Sequence, residues 1–204
     1  MRNGTMTNEE YYELIQPYED AASVMLSRIR ILRHNLYEDS ALKSIHNIQE
    51  RTKSKESIEK KLLKKEKPQT MESAKDYLQD ISGIRVICYF VKDIYRLVQT
   101  IKNQQDLIVI RERNYIENPK KNGYRSYHMI VGVPLYYVDA TEYYPVEIQF
   151  RTLGMDLWAS MEHRIVYKKD IHEDGDMLAK LRNYADDLME IEKQFEDYTQ
   201  KNCM

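Results

Sequence analysis

Residues 120–150 read KKNGYRSYHMIVGVPLYYVDATEYYPVEIQF and contain two strand-like runs, 126–138 and 143–151, with turn residues around Asp139 between them. This pattern predicts a β-hairpin. In the second run apolar and polar side chains alternate, so they occupy opposite faces of the strand: Val146, Ile148 and Phe150 on one face, and Glu147, Gln149 and Arg151 on the other. The apolar face is expected to be buried. The polar face either is simply solvated or holds the Glu147 carboxylate in a site.

Periodicity and capping signals extend the prediction outward from the hairpin. Helices are predicted over 8–34, 55–66, 72–80, 93–102, 155–167 and 176–200, and further strands over 84–91 and 107–110. Pro17 predicts a kink or a restart of the first helix near Gln16. Helices at both ends and strands between them predict an α/β (α+β) fold, with a mixed, mostly antiparallel sheet of about five strands flanked by helices. We expect one domain over 1–204, with a core at about 18–167.

Composition limits the classes of function. The 204 residues carry 31 basic and 33 acidic side chains, a net charge of −2, so no chain-wide positive field favours nucleic acid or anionic lipid. The longest apolar run, about 86–91, is far shorter than the ~20 residues that a membrane helix needs. Two cysteines and a start that lacks the pattern of a signal peptide favour the cytoplasm.

A local basic segment contrasts with this overall balance. Between Arg51 and Lys67 the chain has eight basic and three acidic residues. Ser57, Lys60 and Lys64 share one face of the predicted helix, where phosphates could bind near the helix N-terminus. A solvated lysine-rich helix is the ordinary alternative.

Asp80 stands at the corner between a predicted helix and the strand 84–91. Carboxylates from two separate strands can hold Mg2+, which keeps several waters and is completed by substrate phosphates. Asp80 and Glu147 are therefore candidate metal ligands. A structural aspartate that forms local hydrogen bonds in the loop is the alternative for Asp80.

The segment 122–128, NGYRSYH, lies at the mouth of the hairpin. Its glycine permits close approach, Tyr124 offers a stacking face, and Arg125 and His128 can contact phosphate oxygens. These properties suit a nucleotide, although a tyrosine-rich turn would also explain them.

Apolar residues of the last predicted helix recur at alternating steps of four and three, a seam of about three heptads: Met177, Leu181, Tyr184, Leu188, Ile191, Phe195 and Tyr198. The seam either packs on the core of the domain or forms a surface for self-association.

Four segments in the same order resemble the small alarmone synthetases, the single-domain members of the RelA/SpoT-type pyrophosphokinases. They are RTKSKES (51–57), DISGIR (80–85), KKNGYRSYH (120–128) and VEIQFRT (146–152), and MDLW (155–158) follows. The resemblance covers about Tyr18 to Tyr167. It implies a nucleotidyltransferase-like synthetase fold and transfer of the β,γ-pyrophosphate of ATP to the ribose 3'-OH of GDP or GTP, with GMP as a further acceptor, releasing AMP.

The resemblance also implies a role for individual residues. Asp80 and Glu147 would hold Mg2+, and Glu147 would also accept the 3'-OH proton. ATP would be bound by Arg51, Lys53, Ser57, Lys60 and Arg85, with Arg51 and Arg85 flanking adenine. The guanosine nucleotide would be bound by Lys120, Tyr124, His128, Gln149 and Asp156, with Tyr124 stacked on guanine.

The chain departs from the family at Glu50, where relatives often have a small residue, and at Lys55, where they often have a proline. The sequence therefore does not determine how rigid the ATP-binding turn is. The resemblance further implies a homotetramer built with the terminal helices, and a chain of this length leaves no room for the hydrolase domain of larger members. Two rivals remain: a non-catalytic protein that binds single-stranded RNA through 51–67, and a nucleotidyltransferase that releases pyrophosphate from ATP.

Overall fold

The computed structural model describes residues 5–35, 44–166 and 175–202. The elements within these ranges are α1 (Asn8–Asn35), β1 (Ile45–Thr52), α2 (Lys55–Lys64), α3 (Met71–Tyr77), β2 (Ser82–Cys88), α4 (Val91–Lys102), β3 (Ile108–Asn114), β4 (Tyr127–Tyr136), β5 (Thr141–Thr152), α5 (Leu153–Val166) and α6 (Gly175–Asn202). The predicted domain limits at 1 and 204, and the predicted core and helix limit at Tyr167, lie outside the described residues.

The strands form one five-stranded sheet in the order β1-β2-β5-β4-β3. Three of its four ladders are antiparallel, and β2 pairs with β5 in parallel. The parallel ladder places Gly83 directly beside Glu147. The mixed, mainly antiparallel sheet with flanking helices confirms the predicted fold class.

Two hydrophobic cores hold α1 and α4 on the sheet and join α1 to α2 and α3. The larger core joins α1 and α4 to the inward faces of the strands, including Val146, Ile148 and Phe150. The second core joins the first half of α1 to α2 and α3, through residues such as Leu14 and Leu62. Because burial of apolar area is the main favourable term in folding, β5 is anchored on its apolar face, and its polar face is left to line a cleft.

The heptad seam of the last helix is divided between its two predicted roles, packing on the domain and forming a surface. Leu181 is buried in a small cluster with Trp158 of α5, whereas Ile191 and Phe195 are exposed by 49% and 65%. The first half of the seam therefore packs on the domain, and the second half presents an apolar surface. No helix in the described ranges is both long and apolar enough to cross a membrane.

Three predictions of local structure were wrong, and one of two alternatives at Pro17 is excluded. The strand β1 was missed, and the segment 111–114, expected to be a loop, extends β3. Of the kink or restart predicted near Gln16, the restart is absent, since α1 runs as one helix with Pro17 inside it. Asp93 does not begin α4 but lies in its first turn, where its carboxylate accepts a hydrogen bond from the backbone N–H of Phe90 at 3.2 Å.

Candidate active site

Glu147 lies on the polar face of β5 and is held from two sides. Its Oε2 accepts a hydrogen bond from Nε2 of Gln149 at 2.9 Å, and Nδ1 of His128 on β4 lies 3.3 Å from Oε1. Burial disfavours ionisation of this carboxyl, but the hydrogen bond from His128 and its positive potential outweigh burial, so the pKa of Glu147 is lowered. The carboxylate is thus ionised at neutral pH and fixed in orientation.

Gly83 on the neighbouring strand allows this arrangement. A Cβ atom at this position would lie 3.0 Å from the carbonyl oxygen of Glu147 and 3.7 Å from its Cβ. Any larger side chain would therefore crowd the backbone that carries the carboxylate.

Asp80, between α3 and β2, is surrounded by positive charge. Its Oδ2 accepts hydrogen bonds from Nζ of Lys53 at 2.8 Å and from Nζ of Lys61. Burial raises the pKa of Asp80, but the two lysines outweigh burial and lower it overall. Its other oxygen, Oδ1, is buried and has no hydrogen-bond partner within the described part of the chain.

The two carboxylates face the same cavity, of about 310 Å3, which runs between β1, β2 and β5. Ten residues line it: Gln49, Glu50, Arg51, Lys53, Asp80, Gly83, Ile84, Arg85, Glu147 and Gln149. The negative charge of Asp80 also acts to raise the pKa of Glu147, as expected for carboxylates that share a cleft.

The donor set of this cavity fits a hard cation such as Mg2+. No group of three or more His, Cys, Asp or Glu residues able to hold a metal is found among residues 5–35, 44–166 and 175–202. The candidate ligands are Asp80 and Glu147, while Glu50, which also lines the cavity, is exposed. The unpartnered Asp80 Oδ1 is the kind of buried acceptor that a metal ion would satisfy. Two carboxylates with water and substrate phosphates are a usual ligand set for Mg2+.

A second cavity, of about 490 Å3, adjoins the first and shares Arg51 and Arg85 with it. Tyr124, Arg151 and residues of α5 complete its wall. Burial lowers the pKa of Arg85, and the positive charge of Arg151 lowers it further. The cluster of guanidinium groups therefore forms a local anion-attracting surface on a slightly acidic protein.

The side chain of Tyr124 is enclosed by cations and rings. Nζ of Lys120 lies 4.6 Å and Cζ of Arg151 lies 5.5 Å from the centre of its ring. Its hydroxyl lies 2.8 Å from Nε2 of His128 and accepts a hydrogen bond from Nη2 of Arg151 at 3.1 Å. A chain of hydrogen bonds thus runs from Arg151 through Tyr124 and His128 to Glu147.

Asp156 on α5 closes the far end of this network. Its Oδ1 accepts a hydrogen bond from Nη1 of Arg151 at 2.9 Å and lies 3.5 Å from Nη1 of Arg85. The structure therefore brings together the five residues that the sequence assigned to the guanosine nucleotide: Lys120, Tyr124, His128, Gln149 and Asp156.

Only three of the five residues expected to bind ATP line the first cavity. Arg51, Lys53 and Arg85 line the first cavity, and Ser57 lies in the first turn of α2. Lys60 is exposed, and the lysine of α2 that reaches Asp80 is Lys61. Lys61 is not among the residues that the resemblance assigns to ATP, although its spacing of four from Ser57 places both on one helical face.

Two arginines of β3 were also missed. Arg111 and Arg113 line a small cavity of about 50 Å3 together with His128 and Glu147. The sequence pattern alone predicts a polar loop here. The signal that could have found them is the alternation of Arg111, Glu112 and Arg113, which is typical of an edge strand with one polar face.

Comparison with known proteins agrees with this architecture. Residues 50–172 match the family described as "Region found in RelA / SpoT proteins". The chain is 40% identical over 151 residues to the GTP pyrophosphokinase YwaC of Bacillus subtilis, covering 71% of this chain and 72% of that protein. It is 34% identical over 165 residues to YjbM of the same organism, covering 80% and 76%.

Solved structures of small alarmone synthetases have the same fold as this chain. The crystal structure of small alarmone synthetase 1 from Bacillus subtilis bound to its product pppGpp matches with a TM-score of 0.83 and 28% identity, over 97% of this chain and 100% of that one. Small alarmone synthetase 2 matches with a TM-score of 0.81 and 32% identity, over 94% and 98%. The chain belongs to the RelA/SpoT family. Within that family it is a small alarmone synthetase.

Proposed function

We propose that the protein is a pyrophosphokinase that transfers the β,γ-pyrophosphate of ATP to the 3'-OH of GDP or GTP, with GMP as a further acceptor, and releases AMP. The observation that carries the proposal is the single cleft in which Asp80 and Glu147 meet beside Lys53, Arg51 and Arg85. The relatives named GTP pyrophosphokinase and the neighbour bound to pppGpp support the same reaction.

ATP binds in the first cavity. Arg51 and Arg85 line both this cavity and the second one, which supports their assignment to the two sides of the adenine. Lys53 and Lys61 meet at Asp80, where the β- and γ-phosphates would lie. Ser57, near the N-terminus of α2, and Lys60, on its exposed surface, complete the basic side of the site.

The acceptor binds on the other side of Glu147. Tyr124 supplies the stacking face for guanine, and Gln149 and Asp156 lie near the ribose and base. Nζ of Lys120 lies 4.6 Å from the centre of the Tyr124 ring, over the face proposed for guanine. We propose that Lys120 moves off the ring when guanine binds and contacts the acceptor's phosphates together with His128. Arg111 and Arg113, beside His128, add positive charge to this part of the cleft.

In the reaction the 3'-oxygen attacks the β-phosphorus of ATP, and the bond from that phosphorus to the α–β bridging oxygen breaks, so AMP leaves with that oxygen. The 3'-OH proton passes to Glu147, whose carboxylate is ionised and oriented by His128 and Gln149. Asp80 and Glu147 would hold Mg2+, which supplies charge stabilisation at the transferring phosphates. Lys53, Lys61 and Arg85 add fixed positive charge there.

The test is an assay with purified protein, Mg2+, ATP and GDP or GTP, in which adenine products are separated. AMP formed in equal amount to a 3'-pyrophosphorylated guanosine nucleotide is expected. Release of inorganic pyrophosphate from ATP would favour a nucleotidyltransferase instead. Absence of turnover together with salt-sensitive RNA binding would favour the RNA-binding alternative.

The two neighbouring lysines of α2 allow a matched comparison. Lys61→Ala should raise the KM for ATP by about 10-fold or more, because a charged hydrogen bond next to the phosphates is lost. Lys60→Ala should raise this KM by less, since Lys60 is exposed and Lys61 contacts Asp80. Steady-state kinetics with ATP varied checks both, and an equal or larger effect at Lys60 would contradict the assignment.

We also propose that the protein assembles into a homo-oligomer, as a tetramer, through the exposed second half of the seam on α6. Ile191 and Phe195 are exposed by 49% and 65% and lie four residues apart, on one face of the helix. Apolar stripes of this kind are usually covered by a partner.

Replacement of both Ile191 and Phe195 by Glu should lower the molar mass in solution, measured by light scattering after size exclusion, because charge would be buried between copies. Lys193→Glu, an exposed change on another face of α6, should leave the mass unchanged. The same mass for all three proteins would exclude this surface as the interface.

A further inference from the structure

The turn that leads into α2 is held by the first residues of α1. The hydroxyl of Tyr11 donates a hydrogen bond to the backbone carbonyl of Lys53 at 3.0 Å, and Nζ of Lys55 donates one to Oδ1 of Asn8 at 3.1 Å. From the other side, the N–H of Lys53 donates to the carbonyl of Ile81 at 2.8 Å. Both backbone groups of Lys53 are thus fixed.

The start of α1 is itself firmly placed, so it can serve as an anchor. Met6 is 1% exposed in the second core, and its N–H donates to the carbonyl of Gln69 at 2.9 Å. Thr7 and Glu10 form a capping box, with hydrogen bonds of 2.7 and 3.1 Å. Tyr11 follows directly and packs against the same core.

We propose that Tyr11 is a positioning residue of the ATP site: it fixes the backbone at Lys53, and so places the Lys53 ammonium on Asp80. Nζ of Lys53 reaches both Oδ2 of Asp80 at 2.8 Å and the backbone carbonyl of Asp80 at 2.6 Å, which leaves it little freedom. This inference rests on the proposed binding of ATP at Lys53. It assigns to α1 a part in substrate binding besides its part in the cores.

The chemistry of the turn explains why an outside anchor matters. Ser54 caps α2, and Lys55 is its first residue. Lys55 leaves the backbone torsion φ unrestricted, whereas a proline there would fix it. The hydrogen bond from Tyr11 of α1 therefore restrains this turn, as the ring of a proline at position 55 would.

The experiment compares Tyr11→Phe with Tyr12→Phe in the full chain. Tyr11→Phe should raise the KM for ATP about 2- to 10-fold, the range for loss of one hydrogen bond, and leave the KM for GDP unchanged. Tyr12 is its 67% exposed neighbour, so Tyr12→Phe should change neither constant. Thermal unfolding of each variant shows whether an effect comes from loss of fold.

A rescue variant separates positioning from general stability. Ser54 has φ −65° and ψ 157°, which is compatible with a following proline, and Lys55 occupies the first helical position, where proline is favoured. Lys55→Pro in the Tyr11→Phe protein should therefore return the KM for ATP to near the wild-type value.

Three results would overturn the inference: an unchanged KM for ATP in Tyr11→Phe, a parallel rise of both KM values with a lower unfolding temperature, or no rescue in the double variant although Lys55→Pro alone, which loses the contact with Asn8, keeps the wild-type KM. A wild-type protein that forms no AMP would instead overturn the proposed function, so the two failures are distinguishable.

Discussion

Glu147→Gln is expected to lower the rate of AMP formation by about 1,000-fold, within the range that general base catalysis supplies. Glutamine keeps the shape of the side chain and its contact with Gln149, but it removes the proposed proton acceptor and one proposed ligand for Mg2+. The rate should be measured at saturating ATP and GDP, because the loss concerns the chemical step.

A matched change at the other end of β5 provides the control. Glu142 is exposed, so Glu142→Gln should retain near-normal turnover. Circular dichroism and the unfolding temperature should show that Glu147→Gln is folded, since its strand is anchored by Val146, Ile148 and Phe150. Near-normal turnover in folded Glu147→Gln would show that this carboxylate is not the base.

The pH dependence follows from the same carboxylates. The folded-state pKa values of Asp80 and Glu147 are lowered, so both groups favour the folded state above their unfolded pKa values. This contribution is lost as pH falls through the folded values. Neither carboxylate should therefore produce a limb in the activity profile between about pH 6 and 9.

Asp80→Asn should lower kcat/KM for ATP by about 100-fold or more, as expected when a charged partner in a phosphoryl-transfer site is removed. The substitution leaves Lys53 and Lys61 without their counter-charge and takes one carboxylate from the proposed magnesium site. The Mg2+ concentration that gives the half-maximal rate should therefore increase, and a magnesium titration of the rate measures this shift.

Asp76→Asn, on the exposed face of α3, is the control and should leave the titration unchanged. An Asp80→Asn protein with the wild-type magnesium requirement would contradict a role of this carboxylate in metal binding. Unfolding experiments on both variants exclude loss of fold as the cause.

Much of the fold could be predicted because its central strands are strongly patterned. The strands β4 and β5 combine buried apolar residues with a clear turn, and both were placed nearly as observed. The edge strand β1 was missed, because of its eight residues, IHNIQERT, only Ile45 is fully buried. An edge strand with so few core contacts lacks the periodicity on which prediction depends.

Candidate site residues could be predicted where the residue type itself indicates the chemistry. They were harder to predict where the orientation of a helix determines which side chain enters the cleft. Asp80 and Glu147 line one cleft, and their roles in metal binding and catalysis stay predictions. The choice between Lys60 and Lys61 depends on how α2 is rotated about its axis, which is set by packing of Ile58 and Leu62 in the second core. Such tertiary information is only weakly present in the local sequence.

The parallel ladder between β2 and β5 also determines when the protein can become active. The ladders β1–β2, β3–β4 and β4–β5 each join strands that follow one another in the chain. The strands β2 and β5 are separated in the chain by β3 and β4. Closing such a long loop is entropically costly and slow. During synthesis on the ribosome, both halves can begin to fold separately, and the carboxylates of Asp80 and Glu147 meet only after β5 has emerged and docked on β2.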